Sequence, residues 1–222
     1  MELEVKLSFD SKEKLYGLAV SDEFAKYCTD AVKPEPVLLE NTYLDTAGMG
    51  ITGRGGMIRV RHYKGSNEDF YEFTVKYGGG VSDGFHKRYE WNARSEDDNF
   101  SIERFKSLVT ADSDPSDMLS EAFGNIKDED IKPICANSFN RTIYNLAFGD
   151  STMEACFDYG LITNSDGSKT DDICELELEL KSGDPADIDQ LAKIITGKTG
   201  CVPLDNTKYG RTLKLATGTD HE

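Results

Sequence analysis

The sequence predicts an α+β fold built around antiparallel sheet. Three observations lead there. Roughly eight segments alternate apolar and polar residues at every second position, the period of a strand with one dry face. Turns rich in Gly, Asn and Asp separate several of these segments at hairpin-like distances. Helical segments are inserted between them rather than following every strand, so a regular βαβ repeat is excluded. The 222 residues are 38% hydrophobic, enough for a substantial core, and the chain is read as a single domain spanning 1–222.

The elements follow in order. Residues 2–9, with Leu3, Val5 and Leu7 on one side, predict the first strand. Residues 11–31 carry Leu15, Leu18, Ala19, Phe24 and Tyr27 and predict one or two helices. "VLLENTYLD" predicts a strand, followed by a glycine-rich loop. "MIRVRHY", "DFYEFTVKY" and "FHKRYEWNA" predict three more. Helices are expected over 101–110 and 115–124, the second started by Asp114, Pro115 and Asp117 as cap, first-turn proline and first-turn acid. "SFNRTIYNLAF", "STMEACFDYGLI" and "DICELELELK" predict the last three long strands. Asp184-Pro185 opens a helix with Ile188, Leu191 and Ile195 on one side, ending near Gly197 and Gly200. The tail "LDNTKYGRTLKL" reads as a loop ending in a short strand.

The polar faces of these strands carry charge of both signs. Glu2, Glu4 and Lys6 share a face, as do Glu175, Glu177, Glu179 and Lys181. Arg59 and Arg61 oppose Ile58 and Val60; Glu72, Thr74 and Lys76 oppose Phe73 and Val75; Arg88, Glu90 and Asn92 oppose Tyr89 and Trp91. Glu154, Cys156 and Asp158 form another such row. On the residues alone, two arrangements stay open. One is an ordinary sheet with a wet side. The other is a closed barrel with the charged faces turned inward, where carboxylates suit Mg²⁺ or Mn²⁺ and guanidinium groups suit phosphate. Carboxylates two residues apart, about 6.6 Å along a strand, repel by roughly 0.6 kcal/mol in water and roughly 2.5 kcal/mol at an effective dielectric of 20. An enclosed row of glutamates therefore needs cations, and alternation alone does not decide.

The formal charge of −16 excludes nonspecific adhesion to nucleic acid or anionic membrane, since both require a basic surface. No apolar run approaches the ~20 residues of a membrane-spanning helix. The polar N-terminus argues against a signal peptide. Five cysteines without a C-x-x-C pair are expected to be reduced thiols, placing the protein in the cytoplasm.

The series of charged strands resembles the CYTH superfamily, the triphosphate tunnel metalloenzymes. "ELEVK" is similar to the N-terminal ExExK signature of that family, and "NTYLDT" to its Tyr-x-Asp-Thr strand. "IRVR", "TVK", "KRYEW", "NRTIY", "FDYG" and "ELELELK" resemble its successive barrel strands, and "NTKYGR" its C-terminal Lys-x-x-x-Arg segment with compact spacing from Lys208 to Arg211. A lone ExExK is weak; the ordered series from residue 2 to about 212 is specific. The resemblance implies a closed eight-stranded antiparallel barrel with flanking helices, binding a small triphosphate with Mg²⁺ or Mn²⁺. It implies that Glu175, Glu177 and Asp158 hold a metal with Glu179 in support. It implies that Glu2 and Glu4 position a second metal and the attacking water, with Lys76 in the same catalytic group. Lys6, Arg59, Arg61, Lys76, Arg88, Arg141, Lys208 and Arg211 would grip phosphate oxygens. Glu90 is read as orienting neighbouring cations or as a plain cross-strand ion pair. The expected activity is hydrolysis of inorganic triphosphate by a monomer or homodimer, without nucleic acid or membrane partner. Alternatives are an adenylate cyclase of the same superfamily, a thiamine triphosphatase, or a polyphosphate- or nucleotide-binding module without turnover.

Other signals are set aside. Gly48, Gly50 and Gly53 spell G-x-G-x-x-G after a strand, but a strand rather than a helix follows, so a flexible hairpin loop at the tunnel mouth is expected. His62, His86 and His221 lack ligand spacing, and Trp91 is assigned to the core.

Overall fold

The alternating segments close into a barrel. The computed structural model describes residues 2–109, 116–164 and 167–218. Nine strands run β1 (Glu2–Ser8), β2 (Val37–Asp45), β3 (Gly56–Lys64), β4 (Asp69–Ser82), β5 (Phe85–Ser95), β6 (Lys132–Phe148), β7 (Ser151–Thr163), β8 (Thr170–Ser182) and β9 (Val202–Pro203). Their order is β5-β4-β3-β2-β6-β7-β8-β1-β9, and β1 also pairs with β5 through Glu2↔Arg88 to Val5↔Phe85, which closes eight strands into a ring. Every pairing is antiparallel, with register Glu4↔Glu179 and Lys6↔Glu177 between β1 and β8. The two-residue β9 pairs with Leu7 and Ser8.

Alternation now has a definite sense. The apolar faces turn outward and are covered by helices; the charged faces turn inward. Outer residues of β1, β6, β7 and β8, including Val5, Leu146, Phe157 and Leu178, pack with Leu15 and Phe24 of α1 (Lys12–Ala19) and α2 (Asp22–Ala25). A later helix, Pro185–Thr199, adds Ile188, Leu191 and Ile195 to the same cluster. On the opposite side Ile58, Phe73, Val75 and Trp91 pack with Phe105 of α3 (Ile102–Leu108) and with Leu119 and Phe123 of α4 (Ser116–Phe123). Each buried leucine or phenylalanine contributes roughly 1.5–3 kcal/mol of hydrophobic transfer. Hydroxyl caps start several helices: Ser11, Ser21 and Ser101 accept from Lys14, Phe24 and Arg104 backbone N–H. The Pro185–Thr199 helix, α5, is capped by Asp184 and ends at Gly200 with φ +72°. The Asp114-Pro115 start signal lies outside the described residues.

One element differs in kind from the sequence reading. The tail forms α6 (Lys208–Thr217), a helix and not a strand. Thr207 caps it by accepting from Gly210 N–H, and Gly218 ends it at φ +76°. The "TLKL" alternation misleads because the helix lies inside the ring, where packing decides. Asn137 donates to Thr212, and Leu215 packs on Leu39, Phe139, Ile162 and Ile173, the inward-facing residues of β2, β6, β7 and β8. Strand β6 also begins at Lys132, six residues earlier than expected, because β2 pairs with that stretch across a bulge near Tyr43 and Leu44.

Candidate active site

With α6 filling part of the ring, the rest of the interior is a cavity of about 530 Å³. Its wall carries seven carboxylates (Glu2, Glu4, Glu72, Glu90, Glu154, Glu177, Glu179) and eight cations (Lys6, Arg59, Arg61, Lys76, Arg88, Arg141, Lys181, Lys208). With all of them ionised the cavity wall is near neutral and contributes little to the chain's net charge of −16. The tunnel is thus a charged solvent of fixed composition and not part of a wet outer surface.

The cations divide into two kinds. Lys6 reaches Glu4 at 2.9 Å and also Glu177, which takes Lys208 at 2.8 Å and Arg141 as well. Burial alone would raise the Glu177 pKa, yet Lys208, Lys6 and Arg141 hold it well below the usual carboxylate range. Lys76 joins Glu2 at 2.7 Å and Glu90 at 2.6 Å. Arg61 is different. It is 4% exposed, and its partners are neutral: Nε donates to Asn41 at 2.7 Å and Nη1 to the Tyr63 hydroxyl at 3.3 Å. Asn41 is held in turn by Asn137, which also donates to Thr212 of α6. Arg59 donates to Thr74 at 2.9 Å and lies 3.6 Å from Glu72, while its buried Nε has no acceptor among the described residues. A buried guanidinium without a bonded counter-charge is costly unless an anion joins it.

The acids are also unevenly served. Glu2 and Glu90 share the Lys76 ammonium, and Glu4 takes Lys6. Burial, with Glu4 and Glu90 nearby, raises the Glu2 pKa well above the carboxylate range, against the pull of Lys76. Glu179 is raised mainly by burial. Glu4 Oε1 is buried with only its ion-pair contact to Lys6 and no well-directed hydrogen bond. Among the described residues no three Asp, Glu, His or Cys side chains are grouped as a ready-made metal cage.

Eleven of the sequence-predicted site residues line this cavity: Glu2, Glu4, Lys6, Arg59, Arg61, Lys76, Arg88, Arg141, Glu177, Glu179 and Lys208. The structure does not bring Asp158, Glu175 and Arg211 to its wall. They face inward where α6 fills the ring. Asp158 accepts both Arg141 nitrogens, at 2.7 and 2.6 Å, and lies 2.8 Å from Lys208. Glu175 takes Lys208 at 2.7 Å and Arg211, whose Nε bonds Asp171. With their oxygens committed to Lys208 and Arg211 of α6 and to Arg141 of β6, Asp158 and Glu175 anchor that helix. The expected Asp158–Glu175–Glu177 metal set therefore does not open onto the cavity, and Arg211 serves α6 and not the lumen. Lys208 lines the wall but is held by three carboxylates.

Sequence reasoning missed Asn41, Tyr43, Tyr63 and Tyr209 as wall or second-layer residues, and placed Glu72 and Glu154 on charged strand faces without giving them a role in the site. Strand parity could have found all but Tyr209, since they share the inward face with Arg59, Arg61 and Cys156. Cys156 itself is a buried thiol pushed up to about 12 by burial, so it remains protonated. The glycine loop is not loose: the Asp45 carboxylate binds Thr46, Ile51 and Thr52 backbone N–H at 2.6–2.9 Å and folds 52–54 into a 3₁₀ turn. His86 is buried, bonded to Leu204 O and Arg88.

Comparison with known proteins agrees with this geometry. The CYTH domain profile matches residues 1–208. An inorganic triphosphatase of Haemophilus influenzae is 27% identical over 188 residues, covering 84% of this chain and 47% of that protein. The chain thus spans about half the length of this curated relative. Among solved structures, a Hippeastrum protein described as an adenylyl cyclase with a dominant triphosphatase activity superposes with TM-score 0.67 at 16% identity, covering 99% of this chain and 97% of that one. A Pyrococcus horikoshii protein superposes with TM-score 0.55 at 13% identity, covering 95% and 98%. These two likenesses establish the shared fold.

Proposed function

The chain belongs to the CYTH domain family, and from that premise we propose that its tunnel hydrolyses a small triphosphate, inorganic triphosphate first, with Mg²⁺ or Mn²⁺. The observation that carries this reading is Arg61, a buried guanidinium whose hydrogen bonds go only to neutral groups, with Glu72 opposite it on the next strand but not bonded to it, beside Arg59 with its unsatisfied Nε. A phosphate chain supplies the missing anion, and paired guanidinium forks match its oxygens. The carboxylates include donors of the kind a divalent ion takes: Glu2, Glu4 and Glu179 offer hard oxygens to the cavity, Glu4 stands opposite Glu179 on the neighbouring strand, and Glu4 Oε1 is buried without a hydrogen bond. The chemistry such an ion supplies is neutralisation of phosphate charge and activation of water.

The chain's own residues do the rest. Arg59, Arg61, Arg88 and Arg141 orient the phosphates and stabilise charge as it builds on them. Lys6 and Lys76 hold Glu4 and Glu2 in place. Glu2 and Glu4 face the lumen as the carboxylates that would position water for in-line attack. The enclosed wall keeps bulk water from weakening these contacts. The five unpaired cysteines support a cytoplasmic setting, and no helix among the described residues is long and apolar enough to cross a membrane. A monomer or homodimer is our working assembly.

The test is product analysis with triphosphate, ATP and thiamine triphosphate, each with Mg²⁺ or Mn²⁺. Orthophosphate and pyrophosphate from triphosphate is the expected result. Cyclic AMP with pyrophosphate from ATP would replace this reading with a cyclase, orthophosphate from thiamine triphosphate alone would replace the substrate, and binding without products would leave a polyphosphate-binding module.

A further inference from the structure

The glycine-rich loop after β2 takes no part in the chemistry above, yet it is tied to the cavity floor. Asp45 is fully buried and accepts on both oxygens: Oδ1 from Thr46 and Ile51 N–H, Oδ2 from Thr52 N–H and, at 2.6 Å, from the Thr52 hydroxyl. A hydroxyl has one hydrogen to give, and Thr52 gives it to the carboxylate. The hydrogen bond between Thr52 Oγ1 and Tyr209 Oη must then be donated by Tyr209. The relay runs one way, from Tyr209 to Thr52 to Asp45. It pins the second residue of α6 against Tyr43, ring centroids 4.9 Å apart.

Tyr43, Met57 and Tyr209 line the cavity wall, with Arg59 opposite Tyr43 and Lys76 opposite Met57 on the neighbouring strands, so the cations of the wall end at the Tyr209 ring. Neighbouring Lys208 is already shared by Asp158, Glu175 and Glu177. A phosphate pushed past Arg59 against Tyr209 would meet an aromatic ring whose hydroxyl hydrogen is already given to Thr52. We propose that Tyr209, latched through Thr52 to Asp45, is the chain-length stop of the tunnel, admitting triphosphate and rejecting longer linear polyphosphates. This rests on the triphosphatase reading and adds to it the feature that limits the substrate.

The experiment compares kcat/KM for inorganic triphosphate and linear tetraphosphate, with Mg²⁺, in the full chain and in Tyr209→Ala, Tyr209→Phe and Thr52→Val. The wild type is expected to favour triphosphate at least tenfold. Tyr209→Ala removes the floor and should raise the tetraphosphate-to-triphosphate ratio at least tenfold. Tyr209→Phe and Thr52→Val release only the latch and should shift it two- to fivefold the same way. Should Tyr209→Ala not fold, the two latch variants decide by the same ratio. A wild type that takes tetraphosphate equally well, or folded variants with the wild-type ratio, overturns the chain-length stop while leaving the triphosphatase intact. A wild type that turns over neither compound overturns the triphosphatase reading, and the ratio of tetraphosphate to triphosphate affinities, by calorimetry, then decides the stop by the same shifts.

Discussion

Two parts of the barrel interior are lined by the same strands and behave differently. On β8, Glu179 and Glu177 face the cavity, while Glu175, two residues on, faces α6. On β7, Glu154 faces the cavity and Asp158 is sealed beneath Lys208 and Arg141. In the filled part, acids and cations are matched and water is excluded. In the open part, Arg61 has neutral hydrogen-bond partners and two acids, Glu2 and Glu90, share Lys76. An inward carboxylate therefore acquires its role from what stands opposite it. The filled part is an electrostatic mount for α6, and the open part keeps charges in reserve for a ligand.

Breaking the mount should give the largest effect on folding. Asp158→Ala leaves Arg141 and Lys208 short of a buried partner and should cost about 3–5 kcal/mol in denaturant unfolding. A loss under about 1 kcal/mol would mean that α6 is held by its apolar contacts alone. In the open part, Glu4→Gln should lower kcat roughly 100-fold, comparable to removing one stabilising group from a transition-state site. Its unfolding free energy should move far less, because Lys6 keeps Glu177. Equal losses in Asp158→Ala and Glu4→Gln stability would erase the distinction between the two regions.

The charged strand faces were legible in the sequence because a period of two is a local property; that they close into a ring was implied only by the family resemblance. Glu4, Lys6, Arg59, Arg61, Lys76 and Glu177 were found that way. The division of the interior was not legible, because it depends on where α6 lies. The tail carried helix signals, Thr207 before it and Gly218 after it, but "TLKL" alternates like a strand. The bond of Thr212 to Asn137 and the packing of Leu215 on Leu39, Phe139, Ile162 and Ile173 are tertiary facts that no local window contains. The neutral mounting of Arg61 joins Asn41 to Asn137 across 96 residues, and nothing near either asparagine announces it.

Smaller effects sharpen the comparison. His86 lies beneath the open part, and burial, with Lys6 nearby, lowers its pKa to about 4. Its folded value lies below the unfolded one, so the unfolded chain takes up the proton first. Stability is lost as pH falls from about 6.5 towards 4, by on the order of 2 kcal/mol after discounting for partial exposure. Unfolding curves at pH 7 and 4.5 should show a smaller acid loss in His86→Gln than in wild type; identical losses would exclude His86 as a contributor. The smallest effect belongs to the helix cap. Thr207→Ala should cost about 1 kcal/mol, read from the denaturant midpoint, and no change would show that the ion pairs of Lys208 and Arg211 suffice to start α6.

The central claim is that the open part holds cationic charge for a phosphate chain and not for the fold. Arg61→Met tests it most directly, by triphosphate turnover with Mg²⁺ and thermal unfolding on the same preparation. Turnover should fall at least 100-fold while the unfolding temperature holds or rises, since a buried charge without a bonded counter-ion is replaced by an apolar chain of similar length. Wild-type turnover in the folded variant, or a collapse of stability that accounts for the lost activity, would contradict it.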